Sequence, residues 1–541
     1  MNKIFGKNSR FLLVIVSILI FNLLPLIGQN LDFKRYSNWD VENSDAYKVG
    51  NIYQKDLLLC MEILKESHPA FAPGLDAPFN IDSINQAGYL WASKCQSVTN
   101  LWTYLQAIMT LLNDGHTSLM PDLDRNHIYP FELFKENKNI YLKGVTKEYG
   151  SFLGKQISLI NGHAVLEVIN SFRPVISSDN EVNFSAKVGS LMRFYSLWKY
   201  TPYCLSDSSL QFRFADATTI SLHQIPTRKM NLTSLQSKTQ SNQITQNDNQ
   251  HFQYKLLPEK NICYLQFLDC TDQSSMRYDY YSGKSTNISV EDFEKKISRI
   301  PRFDTFLTEM FQTIEATKIK TLVIDVRGNG GGNSSLCDVL LSWLKPLKDI
   351  KNGSSSIRIS KLWEQNYPAF AAEYKQGLEK RQHPYEIGKL YDTSSLSGST
   401  SGKKNSTASK EKPSVTKKIE EYFIKNTDEN KVFKGNVVFI QDAGTFSSAG
   451  LLITKATDNN IGIVIGDKSS FRPCNYGDLL AWELPNTKIK GFVSHKIFER
   501  PNTTKCHDLT LIPDVYLTQN WSEVSVGKDI CWEWILNHYG K

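Results

Sequence analysis

A histidine, a glycine turn and a serine turn are the parts of this sequence whose residue types could do chemistry. His116 follows the helix-stop residues 113–115 (NDG), so we expect it in a turn and not inside a helix. The glycine turn is 328–332 (GNGGG) and the serine turn is 444–448 (GTFSS), and each follows an apolar run. A neutral imidazole can take the proton of a serine hydroxyl near pH 7.

Each of the three segments also has a plainer interpretation when it is taken alone. The amides of 328–332 have no side chains in front of them and could stabilise an oxyanion, but the same residues could form a tight turn or a phosphate cradle. Against the phosphate cradle, neither the G-K-[ST] of a P-loop nor the spacing of a dinucleotide-binding turn is present. Ser447 or Ser448 could be an ordinary helix N-cap, and His116 an exposed loop residue.

The elements that must position the two turns form a repeated strand–turn–helix unit. The apolar run 321–326 (TLVIDV) is typical of a strand buried on both faces. The predicted elements around the turns are a strand over 262–267, a helical stripe over 303–314, a strand over 321–326, a helix over 334–344, a strand over 437–440, a helix over 449–456 and a strand over 461–465. This alternation predicts an α/β core over 251–525, in which the turns at the carboxyl ends of the strands carry the site.

Two further regions precede this core. Apolar residues at helical spacing predict helices over 55–65 and 101–112, within an N-terminal helical segment of 45–125 that carries His116. The region 128–230 is β-rich, and its strand–turn–helix order over 153–169 resembles the peptide-binding PDZ module. Polar residues predict a linker over 234–250 and a disordered insert over 394–418.

The N-terminus and the overall charge limit the location and the partners. Lys3, Lys7 and Arg10 precede an apolar run over 11–27, which predicts a signal peptide over 1–28 and an exported protein, periplasmic or extracellular. An uncleaved membrane anchor is the alternative, because the run is near the lower limit for a span. The net charge of +7 is spread over 62 basic and 55 acidic residues without interleaved aromatics in the basic runs, so we expect no nucleic-acid binding.

The nine cysteines do not predict a metal site. None lies in a C-x-x-C pair, and no Cys/His group has zinc-site spacing. Cys60 and Cys337 lie on apolar helix faces and are expected to be buried free thiols. Cys474 and Cys506 are a candidate disulfide, which an exported protein permits.

Taken in chain order, these motifs resemble the carboxy-terminal-processing (tail-specific) and tricorn-like serine peptidases. The motifs that carry the resemblance are LKESHPAF at 64–71, DGHTSL at 114–119, LVIDVRGNGGG at 322–332, GTFSSAGLL at 444–452, IGD at 465–467 and LIPDVYL at 511–517. The resemblance implies a crotonase-like α/β core with a PDZ-like domain, and peptide cleavage through an acyl-enzyme without metal or other cofactor. It maps the nucleophile to Ser447 and not Ser448, and the oxyanion hole to the amides of Ser448 and of Gly330 or Gly331.

The chain departs from that family's pattern at two positions. The glutamate usual three residues after the nucleophile is Gly450, and the lysine base of the tail-specific branch is replaced by Arg472, which cannot act as a general base. The tricorn-like branch instead uses an upstream histidine, which His116 matches. That branch adds a carboxylate shortly before the closing PD motif, and Asp508 is the residue we expect to orient His116.

The predicted function is therefore an exported serine endopeptidase or carboxy-terminal-processing peptidase that acts on peptides or unfolded proteins. Two alternatives remain at this point: a family member that binds peptides without cutting them, and a Ser–His esterase or amidase. The first is motivated by Gly450 and Arg472, and the second by the fact that the same Ser–His pair also hydrolyses small esters and amides.

Overall fold

The computed structural model describes residues 33–35, 39–234, 251–282, 288–393 and 421–540. The predicted signal peptide (1–28), the insert (394–418) and nearly all of the predicted linker (234–250) lie outside the described residues. Within those ranges, no helix combines the length and the apolar character needed to cross a membrane.

The N-terminal segment is helical, as predicted. Its elements are β1 Lys34–Arg35, α1 Asp45–Val49, α2 Ile52–Ser67, α3 Ile81–Ala92, α4 Val98–Thr110, β2 Ser118–Leu119 and β3 His127–Ile128. The side chain of Asn51 caps the start of α2 by accepting from the amides of Tyr53 and Gln54, and Pro69 follows its end. After α4 the chain reverses at Asn113, whose φ of +48° is left-handed, and this reversal starts the loop that carries His116.

A seven-stranded sheet with helices on it follows. Its region contains β4 Phe131–Glu136, β5 Asn139–Thr146, β6 Gln156–Ile160, β7 His163–Ala164, α5 Val165–Asn170, α6 Glu181–Leu191, α7 Tyr195–Trp198, β8 Leu210–Phe214, β9 Thr219–Leu222, β10 Ile225–Pro226 and β11 Leu232–Ser234. The main path of the sheet is β11-β5-β6-β8-β9, with β4 beside β5 and β7 beside β6. The predicted β-rich region is thus present, and its likeness to a PDZ module stays a prediction.

The rest of the chain forms the α/β core and a second sheet. Its elements are β12 Phe252–Leu257, β13 Ile262–Phe267, α8 Gln273–Tyr281, α9 Val290–Ile297, α10 Phe303–Thr317, β14 Thr321–Asp325, α11 Ser335–Leu341, β15 Ser354–Arg358, α12 Lys361–Asn366, α13 Pro368–Lys380, β16 Leu390–Asp392, β17 Asn436–Gln441, α14 Ser448–Asp458, β18 Ile463–Gly466, β19 Asn475–Glu483, β20 Lys490–Glu499, β21 Val515–Tyr516, α15 Trp521–Ser525 and α16 Ile530–Tyr539.

The core sheet has the strand order β12-β13-β14-β17-β18-β21, and all of its pairs are parallel except β12 with β13. Leu322 and Ile324 on β14 pack on one face with helices α10, α11 and α14, while Val323 between them packs on the other face. The second face is covered by α16, which lies beyond the predicted boundary at 525. The predicted α/β core is confirmed. The glycine turn follows β14 and the serine turn follows β17, and these two strands are neighbours in the sheet.

The second sheet joins the N-terminal segment to the core. It has the order β1-β19-β20-β15-β16, and β2 adds to β20 through the pairs Ser118 with Phe492 and Leu119 with Gly491. Its buried residues, such as Trp482 and Val493, share one hydrophobic cluster with the N-terminal helices and the seven-stranded sheet. The pairing of β2 with β20 fixes the loop of His116 against the second sheet.

Cys474 and Cys506, the candidate pair, form a disulfide. Cys60 and Cys337 are buried free thiols, as expected.

Candidate active site

Ser447 lies at the tight turn between β17 and α14. Its φ of +50° and ψ of −124° are unusual for a residue with a side chain. Such strain is found where surrounding structure holds a functional residue, and a strained strand-to-helix turn is the geometry that presents a nucleophilic serine in other hydrolases. The backbone therefore singles out Ser447 within the GTFSS turn.

His116 reaches the hydroxyl of Ser447 although 331 residues separate the two in sequence. The distance between His116 Nε2 and Ser447 Oγ is 3.1 Å, which is within hydrogen-bond range. The imidazole stacks on the ring of Phe446, with 4.7 Å between centroids and 24° between planes. The predicted nucleophile and base are thus brought together in a partly buried setting.

Asp114 anchors the loop that carries His116. One of its oxygens, Oδ2, accepts hydrogen bonds from Thr117 Oγ1 at 2.6 Å, Ser494 Oγ at 2.7 Å and the Nε2 of His68 at 3.1 Å. The other oxygen, Oδ1, accepts the backbone amide of His116 at 2.9 Å. Because Ser494 belongs to β20, this carboxylate ties the loop directly to the second sheet.

The charge of Asp114 is stabilised by these partners. Burial alone would raise the pKa of its carboxyl, but the interactions with His116 and His68 outweigh burial and hold that pKa well below its ordinary value. Asp114 therefore stays ionised in its buried position.

The two turns of the core are joined by Asp442 and by a close backbone approach. Asp442 Oδ1 accepts the amides of Gly328 and Gly444, both at 2.8 Å. A Cβ on Gly331, which has a φ of +104°, would lie 2.7 Å from Ser447 Cβ. Only a glycine allows the two turns to meet this closely.

The predicted oxyanion hole combines the amide of Ser448 with that of Gly330 or Gly331. Gly331 N–H donates to the side-chain oxygen of Asn329 at 2.9 Å, which favours Gly330 of the two. The amides of Gly330 and Ser448 make no hydrogen bond with any described residue. Ser448 begins α14, where unpaired amides and the helix dipole favour a developing negative charge.

The hydroxyl of Ser448 is already used. It donates to the carbonyl of Gly332 at 2.6 Å and is buried. The serine in contact with His116 is therefore Ser447, in agreement with the mapping from the sequence.

Asp508 does not contact His116, and its predicted role is corrected. Its carboxylate forms an ion pair with Arg500 at 3.1 Å and lies 3.6 Å from the ring of His507. Arg500 is itself held by Asp458 at the end of α14, so Asp508 belongs to a separate charge cluster.

The acidic residues near His116 are Asp114 and Asp179, which sequence reasoning did not select. The ligand-type atoms of Asp114, His116 and Asp179 all lie within 4.8 Å of one another. Asp179 follows a short loop and precedes α6 in the β-rich region, with no motif around it. A buried Lys187 on α6 donates to the carbonyl of Gly115 at 2.8 Å and closes this side of the site.

The missing glutamate at position 450 has a packing explanation. A Cβ on Gly450 would lie 2.1 Å from Cγ of Phe471, so the ring of Phe471 occupies the space that a side chain would need. Phe471 also packs edge-on against Phe446, the ring under His116. The departure at this position is thus part of the support of the base.

Comparison with known proteins finds a family model that matches the part of the chain with the two turns. Residues 287–473 match the model of "Peptidase family S41", and the matched segment contains both turns. No curated protein matches the sequence.

Solved structures share the fold. Mature CPAF complexed with lactacystin is 11% identical with a TM-score of 0.58, over 91% of this chain and 98% of that chain. A second crystal structure of mature CPAF is 12% identical with a TM-score of 0.57, over 91% and 96% of the two chains. The segment that matches the S41 model carries both turns, and the fold is shared with CPAF along nearly the whole length, so the chain is similar to the serine peptidases of family S41.

Proposed function

We propose that this protein is an exported serine endopeptidase or carboxy-terminal-processing peptidase, with Ser447 as nucleophile and His116 as general base. The observation that carries the proposal is the 3.1 Å contact between His116 Nε2 and Ser447 Oγ at a strained turn. A base within hydrogen-bond reach of a serine hydroxyl is the arrangement that acyl-enzyme chemistry requires.

In the proposed mechanism, each of these groups acts in a defined step of the reaction. His116 Nε2 takes the proton of Ser447 Oγ while that oxygen attacks the peptide carbonyl. The amides of Gly330 and Ser448 donate to the oxyanion of the tetrahedral intermediate. His116 then gives its proton to the leaving amine, and a water molecule activated by the same imidazole hydrolyses the acyl-enzyme.

Unfolded proteins or peptides are the proposed substrates, because the segment with both turns matches the model of a peptidase family. The β-rich region could hold such a chain by adding it as a strand.

Export is supported by the basic and apolar N-terminus and by the disulfide between Cys474 and Cys506, since disulfides persist in oxidising compartments. Sequencing the N-terminus of the protein recovered from the cell exterior or periplasm tests export: a start near residue 29 is expected, and recovery only from the cytoplasm contradicts it.

Casein hydrolysis by the purified chain tests the catalytic proposal. We expect cleavage by the parent, and a loss of at least about 10³-fold in Ser447→Ala and His116→Ala. Ser448→Ala is the matched control, because it removes a neighbouring hydroxyl that contacts only the backbone of Gly332. It should retain activity within about tenfold, since one buried hydrogen bond is lost.

A fluorophosphonate probe separates the alternatives. Labelling of Ser447 without casein cleavage, but with turnover of small esters, would favour an esterase or amidase. A parent that is inert towards casein, esters and the probe would favour a peptide-binding protein without catalysis.

A further inference from the structure

His116 lies in a buried pocket with several charged groups, which we call the His116 pocket. It contains Asp114, Asp179 and Lys187 around the imidazole. His68 faces the same pocket through its hydrogen bond to Asp114. The side nearest the nucleophile is closed by the ring of Phe446, on which both the imidazole and Lys187 lie.

The ring nitrogen of His116 that faces away from Ser447 makes no hydrogen bond with any described residue. Among the described residues, His116 Nδ1 is buried without a hydrogen bond, and the same is true of Asp179 Oδ2. A buried polar atom without a partner costs about 1–3 kcal/mol, so two such atoms in one pocket require an explanation. A carboxylate oxygen of Asp179 lies within 4.8 Å of a ring nitrogen of His116, a gap that side-chain rotation can close.

Asp114 is poorly placed to be this partner. Its Oδ2 already accepts three hydrogen bonds, and its Oδ1 accepts the amide of His116. The 3.5 Å between Oδ1 and His116 Nδ1 is longer than a hydrogen bond between these atom types. Asp114 therefore holds the loop by hydrogen bonds, and its contact with the ring of His116 is an ion pair at 3.5 Å.

We propose that Asp179 is a positioning residue for His116. Asp179 Oδ2 accepts a hydrogen bond from His116 Nδ1–H while the imidazole takes up the proton of Ser447. The proton moves from Ser447 Oγ to His116 Nε2, and the Nδ1 proton stays on the ring. Asp179 remains ionised and stabilises the imidazolium, which fixes the tautomer that can act as base. This inference rests on the proposed Ser–His chemistry and adds a third residue to it.

One oxygen of Asp179 is attached to the loop of His116, and the other oxygen is left for this role. Its Oδ1 accepts the amide of Gly115, the residue before the base, and its own amide donates to Asn183 Oδ1 at 3.2 Å. Burial raises the pKa of Asp179, and the positive charge on His116 is the strongest influence in the opposite direction. The pair therefore gains most when the imidazole is protonated, which is the state formed during attack.

The charge of Lys187 argues for a hydrogen bond and against a bound cation. Its ammonium donates to the carbonyls of Gly115 and Ser177, both at 2.8 Å. Burial lowers the pKa of Lys187 to about 8, although the charge of the Asp179 carboxylate acts in the opposite direction. A metal ion bound by Asp114, His116 and Asp179 would be repelled by this ammonium.

Replacing Asp179 in the full-length protein tests the proposal. In Asp179→Asn we expect kcat/KM for a peptide substrate to fall by about 10²–10⁴-fold with KM within about threefold, as when an orienting aspartate is removed in other serine hydrolases. The acid side of the pH–rate profile should move to lower pH, because a negative charge that favours the imidazolium is lost. Asp124→Asn is the matched control, since Asp124 pairs with the exposed His127 at 2.7 Å, and it should leave both readouts unchanged.

The outcomes distinguish this inference from the proposed function. If the parent neither cleaves casein nor reacts with the fluorophosphonate, the proposed function is refuted before Asp179 is tested. The role of Asp179 is overturned if the parent is active and the folded Asp179→Asn variant keeps kcat/KM within about threefold and the same pH profile. If the variant does not fold, the crystal structure of the parent's fluorophosphonate adduct decides: an Asp179 Oδ2 to His116 Nδ1 distance under about 3.2 Å supports the proposal, and a longer one refutes it.

Discussion

At the scale of single residues, Gly450 shows how a substitution in a motif can be compensated by a neighbour. Its position in α14 faces Phe471, whose ring fills the space of a side chain. Gly450→Ala should therefore lower the free energy of unfolding by about 1–3 kcal/mol, because overpacking outweighs the gain in helix propensity. Urea unfolding measures this difference.

Gly189→Ala is the control for Gly450. Gly189 lies in α6, and a Cβ there meets nothing within 4 Å, so alanine should stabilise the protein by about 0.5–1 kcal/mol. A stabilising Gly450→Ala variant would contradict the packing argument.

Gly331 is required for the meeting of the two turns. In Gly331→Ala the new Cβ would lie 2.7 Å from Ser447 Cβ and 2.9 Å from Ser448 N, at a φ of +104°. We expect kcat/KM for a peptide to fall by at least about 10²-fold, because the nucleophile and an oxyanion donor are both displaced. Steady-state kinetics of the variant measure this loss.

Gly162→Ala controls for the backbone strain of Gly331→Ala. Gly162 also has a positive φ, +82°, but its Cβ would meet nothing within 4 Å. It should cost about 1–2 kcal/mol of stability and leave the kinetics unchanged. Full activity in Gly331→Ala would show that the turns tolerate separation.

The residues of the site differ in how visible they are in the sequence. Ser447 and His116 follow helix- and strand-ending signals inside recognisable motifs, so they were predicted. Asp179 has no motif, because its role depends only on where α6 begins relative to the loop of His116. Asp508 was selected by its position before the PD motif, but its position near Arg500 in space commits it to an ion pair.

At the scale of elements, the end of α2 contains a carboxyl whose charge costs stability. Glu66 Oε1 accepts the amide of Lys361 at 2.7 Å, and burial raises the pKa of Glu66 to about 7. Since this pKa is raised above the ordinary value of 4.5, the stabilising contribution is complete below pH 4.5 and is lost as the pH rises through about 7.

Glu66→Gln should therefore stabilise the protein only at higher pH. The amide oxygen can still accept from Lys361, while the cost of a buried charge is removed. We expect a gain of roughly 1–3 kcal/mol at about pH 8 and no gain at about pH 4.5, measured by urea unfolding at both values. An equal gain at both pH values would show that ionisation is not the cause.

The elements of the core sheet could be predicted because they are buried on both faces. Such strands are continuous apolar runs, and the prediction for 262–267 agrees with Ile262–Phe267. Strands β19 and β20 were not predicted, because they include polar residues such as Asn475, Asp478 and Lys496 and lack a simple alternation. The pairing of β20 with β2 is a long-range contact that local sequence does not encode.

At the scale of the whole molecule, the site combines three parts of the chain. The base comes from the N-terminal segment, the nucleophile from the core, and Asp179 from the β-rich region. The family motifs could predict that His116 and Ser447 meet, since the resemblance includes the motifs of both residues. The contribution of the β-rich region follows only from the packing of α6 against the loop of His116.

The core continues beyond the predicted boundary at 525, with the helix Ile530–Tyr539. Helix α16 covers the second face of the core sheet with Trp532 and Ile535. At its start, Asp529 forms an ion pair with Arg327 at 3.0 Å, and Arg327 directly precedes the glycine turn. The end of the chain is thus connected to the oxyanion side of the site.

Shortening the chain tests this connection. A chain that ends at 525 loses α16 and exposes Val323, Val438 and Ile440, so we expect aggregation and no casein cleavage. Removal of 540–541 alone should leave solubility and activity unchanged. Asp529→Asn keeps the capping oxygen for Cys531 and Trp532 but weakens the buried ion pair, and should cost about 2–4 kcal/mol in urea unfolding. A soluble, active chain ending at 525 would show that the core sheet does not need this cover, and the boundary predicted from the sequence would then be right.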